Sequence, residues 1–382
     1  MIYLDNAATT PIRPEVLEAM WPLLSGGFGN PSSHHAVGEA AAAALQGARR
    51  SVATVLGVRP GDIVFTSGGT EANNLALKGL ALGAPRGRHI VTTRIEHEAV
   101  LEACDYLVRL HDFAVTFLGT DAAGRVDPEE LRKVLRPGTS LVSVQYANNE
   151  IGTIQPLADL GRITSAARIP LHSDAVQAAG WLPLRVRELG VDALSLSGHK
   201  MGAPQGTGVL CVRGRLPLEP VLHGGGQERG RRSGTENVAG AVALATALAL
   251  ADAERPDAAG RTTERLGEFV RLVLRAAPTA RLTGHALHRL PGTASFIFPG
   301  TSGEAVLLEL ERRGVICSSG SACAAGNDEA SHVLLALGIP ADEAQTAVRF
   351  TLSSRTTQQD LHRVAERVGS AIAAVRGLAG PG

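Results

Sequence analysis

From about residue 60 to residue 212, short apolar strands alternate with amphipathic helices, and this alternation limits what the chain can fold into more than any other feature. Such repetition builds βαβ units, whose crossovers leave the strands mostly parallel in one sheet covered by helices. Strands are expected at 62–65, 89–93, 115–118, 141–147, 169–173 and 193–197, and the run GAPQGTGVLCV returns as one more. The helix after TSGGT carries Ala72, Leu75, Ala76, Gly79 and Leu80 at i, i+3, i+4, i+7 and i+8, one apolar stripe to lay on a sheet.

Open α/β sheets bind ligands beyond the carboxyl ends of their strands. Thr70, His97, Asn149, Asp174, Gln177, His199 and Lys200 all follow separate expected strands closely. Taken singly, each has a plainer reading. Lys200 could be a solvated lysine in a turn, SGGT an ordinary βα turn, Asp174 a cap, His97 a first-turn histidine and Asn149 a turn residue. Their shared position argues for a site.

The residue types fit one cofactor. Pyridoxal phosphate needs an amine for its aldehyde, a carboxylate at the pyridine nitrogen, a phosphate cradle and a group over the ring. Lys200, which ends the strand-turn ALSLSGHK, is the amine, and Asp174 the carboxylate. Gly69 and Thr70, at a strand-to-helix turn, form the phosphate corner with Ser197 and His199, since a helix N-terminus favours an anion. His97 covers the ring and is available as a proton acceptor; Asn149 and Gln177 hold the phenolic side.

Four cysteines, Cys104, Cys211, Cys317 and Cys323, are too few and scattered for a disulfide framework and lack metal-site spacing. Cys104 in a helix and Cys211 in a strand are expected in the core. Cys317 closes the run GVIC, where a small buried hydrophobe is the simpler reading. Cys323 lies in SSGSACAAG, among small residues that leave a thiol accessible, and is the expected nucleophile.

Lys+Arg and Asp+Glu both number 37, so net charge steers the chain toward neither nucleic acid nor an anionic membrane. No apolar run reaches membrane-spanning length and no leader pattern opens the chain, so a cytoplasmic protein is expected. The stretch HGGGQERGRRSGTEN is expected as a long functional loop. ADAERPDAAGR is expected as a linker, dividing a large domain, 13–255, from a small one formed by 1–12 with 256–382.

YLDNAATT, FTSGGTEANNLALKG, EHEAVL, NNEIG, SDAVQ, SLSGHK, HGGGQERGRRSGTEN, SSGSAC and VRFTLS, in this order over residues 2 to 375, resemble the cysteine desulfurases of the NifS/IscS group. The resemblance implies a fold-type I pyridoxal phosphate enzyme of α/β class. Its large domain would hold a mostly parallel seven-stranded sheet, and a smaller α+β C-terminal domain would carry the cysteine. It implies a homodimer that converts L-cysteine to L-alanine, holds the sulfur as a persulfide on Cys323 and passes it to an acceptor protein for iron-sulfur cluster assembly or thiolation. A transferred cluster could then meet Cys323, while no resident metal is implied. Arg349 matches the family's substrate-carboxylate arginine, with Asn149 beside the substrate, and Thr235 matches the threonine that reaches the neighbouring subunit's phosphate. Ala203, Gln205 and Ala330 depart from common family residues. Selenocysteine lyase, cysteine sulfinate desulfinase and a non-catalytic sulfur-relay protein are the alternatives on the same fold.

Overall fold

The computed structural model describes residues 1–83, 86–214, 216–320 and 330–378. In chain order its strands are β1 (Ile2–Tyr3), β2 (Ile63–Thr66), β3 (His89–Thr93), β4 (Ala114–Leu118), β5 (Thr139–Ser143) and β6 (Leu171–Asp174). Then come β7 (Ala193–Ser197), β8 (Gly208–Val212), β9 (Arg281–Leu282), β10 (Thr293–Ile297), β11 (Val315–Ile316) and β12 (Ala347–Thr351). Among the described residues the central sheet has seven strands in the order β2-β8-β7-β6-β5-β3-β4. All its pairings are parallel except those of β8, which runs against β7 and β2. Every residue of β3, β5, β6, β7 and β8 is buried, which explains why these strands read as continuous apolar or small runs rather than alternating ones. Edge strand β4 is partly exposed.

Local chemistry sets the helix ends. Pro14 occupies the first position of the helix Pro14–Ser25, where its missing N–H costs nothing. The helix Ala36–Leu56 starts four residues earlier than its alanine run suggests, because the His35 ring accepts a hydrogen bond from Gly38 N, and it stops at Gly57 with φ 67°.

The expected linker ADAERPDAAGR is instead the middle of one continuous helix, Val238–Ala276, with Pro256 inside it. A mid-helix proline costs roughly 3 kcal/mol, so packing must exceed that. The first half of the helix packs on Pro14–Ser25 and Ala36–Leu56, the second half on the helix Gln358–Leu378, and Ala251 and Ala258 are buried on either side of the proline.

The apolar core falls into clusters. One joins Val52, Leu56, Leu160, Leu194 and Leu244 on one face of the central sheet; another joins Leu75, Leu77, Ile90, Leu141 and Leu210 on the opposite face. A third packs Leu4, Phe269, Phe296, Phe350 and Val368 behind the antiparallel sheet β12-β10-β9. Its rings meet edge to face, with Phe269 and Phe350 centroids 5.4 Å apart. Chain termini meet there: β1 pairs in parallel with β11, and Asp5 bridges to Thr351. This lays residues 5–10 across the carboxyl edge of the central sheet, where Thr10 N donates to His199 O.

Candidate active site

A cavity of about 390 Å³ opens at the carboxyl ends of β5, β6 and β7. Gly69, Thr70, His97, Asn149, Asp174, Gln177, Ser197, His199, Lys200 and Arg349 all line it. Ten residues expected from the sequence thus converge on one space. Thr235 does not join them; it is exposed on the loop before the helix Val238–Ala276. Cys323 lies outside the described residues, as does its segment 321–329, although its neighbour Gly320 lines the cavity.

Lys200 follows β7 in a short 3-10 turn, and its Nζ donates to the carbonyls of Ala7 at 2.5 Å and Ala8 at 2.7 Å. The amine is therefore aimed by the N-terminal segment, which also receives the Gln177 amide at Ala7 O, 3.1 Å. Asp174, the last residue of β6, is buried with both carboxyl oxygens engaged. Oδ1 accepts from Val176 N at 2.9 Å, and Oδ2 accepts from Asn73 Nδ2 at 2.6 Å. The first bond closes the turn after β6 rather than capping a helix, since the next helix is Val186–Leu189. The second comes from the helix Gly69–Gly83, so one helix faces the phosphate corner with its N-terminus and orients the carboxylate from its second turn.

Gly69 begins that helix, and a Cβ there would lie 2.8 Å from Val176 Cγ2 and 3.4 Å from Ser197 Cβ. Only glycine leaves that corner clear. First-turn N–H groups have no partner within their helix and point outward, a cradle suited to phosphate. Glu71 in the same turn takes no part: it accepts from Ser67 N and pairs with Arg232.

His97 is the N-cap of the helix Glu98–His111 rather than a residue of its first turn; its Nδ1 accepts from Ala99 N at 3.0 Å, which leaves the ring over the cavity. β5 ends at Ser143, not at 147, and Ala147 turns back to bridge Ile154, so Asn149 sits on a turn rather than at the strand end. Burial, and then the Lys200 charge, pushes His199 down to about 4; it is neutral at pH 7, with Nδ1 3.1 Å from Thr9 Oγ1.

Arg349, on β12, is buried and enters from the opposite side. Its Nη2 bonds Asp5 Oδ1 at 2.9 Å and its Nη1 bonds Asn149 O at 2.9 Å, while Nε has no partner among the described residues. A desolvated guanidinium with a spare N–H is a carboxylate receptor.

Sequence reasoning missed Asn73, the carbonyls of Ala7 and Ala8, and two buried carboxyls beneath the site, Glu96 and Glu150. Burial pushes Glu96 up to about 8 despite bonds from Thr93 Oγ1 and Gln145 N. The signal for these residues was present in TEANN, LDNAATT, EHEAVL and NNEIG, but nothing local tells a buried acid or amide from a solvated one. Cys104 and Cys211 are buried as expected, and burial lifts both thiols to about 12. Cys317 is partly buried, and its thiol is also pushed up by burial. No three metal-ligating side chains cluster among the described residues, and none of their helices is long and apolar enough to cross a membrane.

The donor set fits a planar, phosphorylated pyridine. A glycine-cleared helix end, a doubly held carboxylate and an aimed amine surround one space, with a ring above it.

The aminotransferase class-V family model matches residues 2–364. A cysteine desulfurase IscS of Dictyoglomus turgidum is 46% identical over 362 residues, covering 94% of this chain and 92% of that protein. Among solved structures, a NifS-like protein superposes with a TM-score of 0.91 at 37% identity, covering 98% of this chain and 99% of the other. A structure titled SspA in complex with cysteine gives 0.81 at 36% identity, covering 94% and 100%.

Proposed function

Because the chain belongs to the aminotransferase class-V family, whose members of the cysteine desulfurase group depend on pyridoxal phosphate, we propose that it is a cysteine desulfurase. It takes sulfur from L-cysteine, releases L-alanine and carries the sulfur on Cys323. The observation that carries this reading is the meeting of Lys200, Asp174 and Arg349 around one cavity whose rim includes Gly320, three residues before Cys323.

Bound pyridoxal phosphate supplies an electron sink for the carbon that holds the substrate amine. This chain's residues do the rest. Lys200 holds the aldehyde end and moves the proton at the substrate α-carbon. Asp174, fixed by Asn73 and Val176 N, keeps a proton on the pyridine nitrogen. Gly69, Thr70, Ser197 and His199 hold the phosphate, His97 covers the ring and takes the thiol proton, and Asn149 and Gln177 hold the phenolic side. Arg349 binds the substrate carboxylate. Cys323 Sγ then forms a bond to the substrate sulfur as the Cβ–S bond breaks, its electron pair staying with carbon. The sum is thiol plus L-cysteine to persulfide plus L-alanine, balanced without an outside oxidant.

The enzyme acts as a homodimer in which Thr235 completes the neighbouring phosphate site. Two features support this. The loop bearing Thr235 is pinned by the buried Arg49–Glu228 pair, at 2.6 Å. The helix Pro14–Ser25 and the turn after it expose Leu17, Trp21, Leu24 and Phe28 at helical spacing, an apolar face that a second copy would cover. The large domain is 13–255 and the small one 1–12 with 256–382, with the boundary inside a helix. The sulfur acceptor is a scaffold or relay protein. The cytoplasm, where thiols stay reduced, is the enzyme's place.

Incubating the pyridoxal-phosphate-loaded protein with L-cysteine and reductant should yield alanine and sulfide in equal amounts. Absence of alanine would reject the reading.

A further inference from the structure

Glu150 is buried beside the cavity, and the proposed mechanism gives it no task. Its Oε2 accepts a hydrogen bond from Ser331 Oγ at 2.5 Å. The same oxygen faces Gly320 so closely that a Cβ there would lie 2.7 Å away, with Glu150 Cβ at 3.1 Å. Gly320 and Ser331 stand eleven positions apart and flank the segment that carries Cys323. One carboxyl therefore hydrogen-bonds one flank and packs against the other. Neighbouring contacts reinforce them. Arg349 Nη1 lies 3.5 Å from Gly320 O and 2.9 Å from Asn149 O, the residue before Glu150. On the other flank His332 Nε2 lies 3.0 Å from Glu96 O, the carbonyl that precedes the ring-covering His97.

We propose that Glu150 is a positioning residue for sulfur transfer: it buckles Gly320 and Ser331 together and so fixes where the cysteine-bearing segment leaves and rejoins the fold beside Arg349. This rests on the desulfurase reading. The turn that presents Glu150 is itself rigid, with Asn148 Oδ1 accepting from Glu150 N and Ile151 N at 2.8 Å each. Burial pushes the Glu150 carboxyl above its ordinary range. Closing the ends of a short segment restricts where its middle can reach, and an attacking atom misplaced by about 1 Å can cost on the order of 100-fold in rate.

The test uses the pyridoxal-phosphate-loaded enzyme with three variants: Glu150→Ala, Glu150→Gln and Ser331→Ala. L-cysteine uptake is followed by the cofactor's absorbance change, sulfur transfer by the mass of the Cys323 peptide in a single turnover, and flank anchoring by cleavage after Glu329 with a glutamate-specific protease. Glu150→Ala should take up L-cysteine within about twofold of wild type, while its persulfide rate falls about 10- to 100-fold and cleavage accelerates. Glu150→Gln, which keeps an acceptor for Ser331, should recover most of both. Ser331→Ala should reproduce the loss and carries the test if Glu150→Ala does not fold. Wild-type persulfide and cleavage rates in Glu150→Ala and Ser331→Ala would overturn the proposal, as would loss of uptake in step with transfer. If wild type places its persulfide elsewhere than Cys323, the desulfurase path fails as drawn, and the protease arm alone decides the anchoring.

Discussion

The two walls of the cavity are built by different means. On the sheet wall, Asp174 and Ser197 end adjacent buried strands spaced by ladder bonds, and Lys200 sits in the turn after the second. The facing wall presents Gly320 and Arg349, backed by Asp5, Glu150 and Ser331 from distant parts of the chain and held by side-chain contacts. Under the proposed function the difference is a division of labour: the wall with fixed backbone geometry would hold the cofactor, and the wall assembled from side chains would receive the substrate and the thiol. Substitutions on the two walls should therefore fail in different ways.

The largest effect belongs to the sheet wall. Lys200→Ala removes both the aldehyde anchor and the α-carbon proton carrier, and alanine formation should drop by about 1000-fold or more; near-normal turnover would break the distinction at once. Asp174→Asn should retain the phosphate-held cofactor while activity falls roughly 100-fold, as expected where a charge-matched group is lost. Retained activity there would deny the carboxylate its electronic role. On the facing wall the loss should be milder and confined to substrate. Asp5→Asn removes the charge that holds Arg349 Nη2, so KM for L-cysteine should rise roughly tenfold with kcat little changed, whereas a fall in cofactor affinity would blur the two walls.

Sequence made the sheet wall legible and left most of the facing wall dark. Strand endings carry local signals, so Thr70, Asp174, Ser197 and Lys200 could be placed from the chain alone. Glu150 and Ser331, and Asp5 and Arg349, are joined only by long-range packing, which no periodicity reports. The long helix Val238–Ala276 was hidden for a related reason: Pro256 is a local break signal, overridden by neighbours on both halves of the helix. Asn73 escaped because an amide at helical spacing looks the same whether it faces water or Asp174.

The smallest prediction sharpens the comparison through pH. Burial holds His89 to about 4, His172 to about 3 and His199 to about 4 on the sheet side, so the unfolded chain binds more protons below about 6.5 and stability falls as pH drops from there toward 4. Glu96, raised to about 8, works the other way: the folded chain binds more protons between about 4.5 and 8, and that contribution is lost as pH rises across the window. The urea midpoint should be higher near pH 6.5 than at pH 5 or pH 8. A midpoint still rising at pH 8 would contradict the assignment.

The central claim is that the two walls cooperate to move one sulfur atom from L-cysteine to Cys323. Its most direct measurement is a single turnover of the pyridoxal-phosphate-loaded enzyme with one equivalent of L-cysteine, quenched, digested without reductant and weighed peptide by peptide. The account predicts one equivalent of alanine and about 32 Da added to the peptide that holds Cys323; the same mass on the Cys317 peptide, or alanine with no added mass on any cysteine, would contradict it.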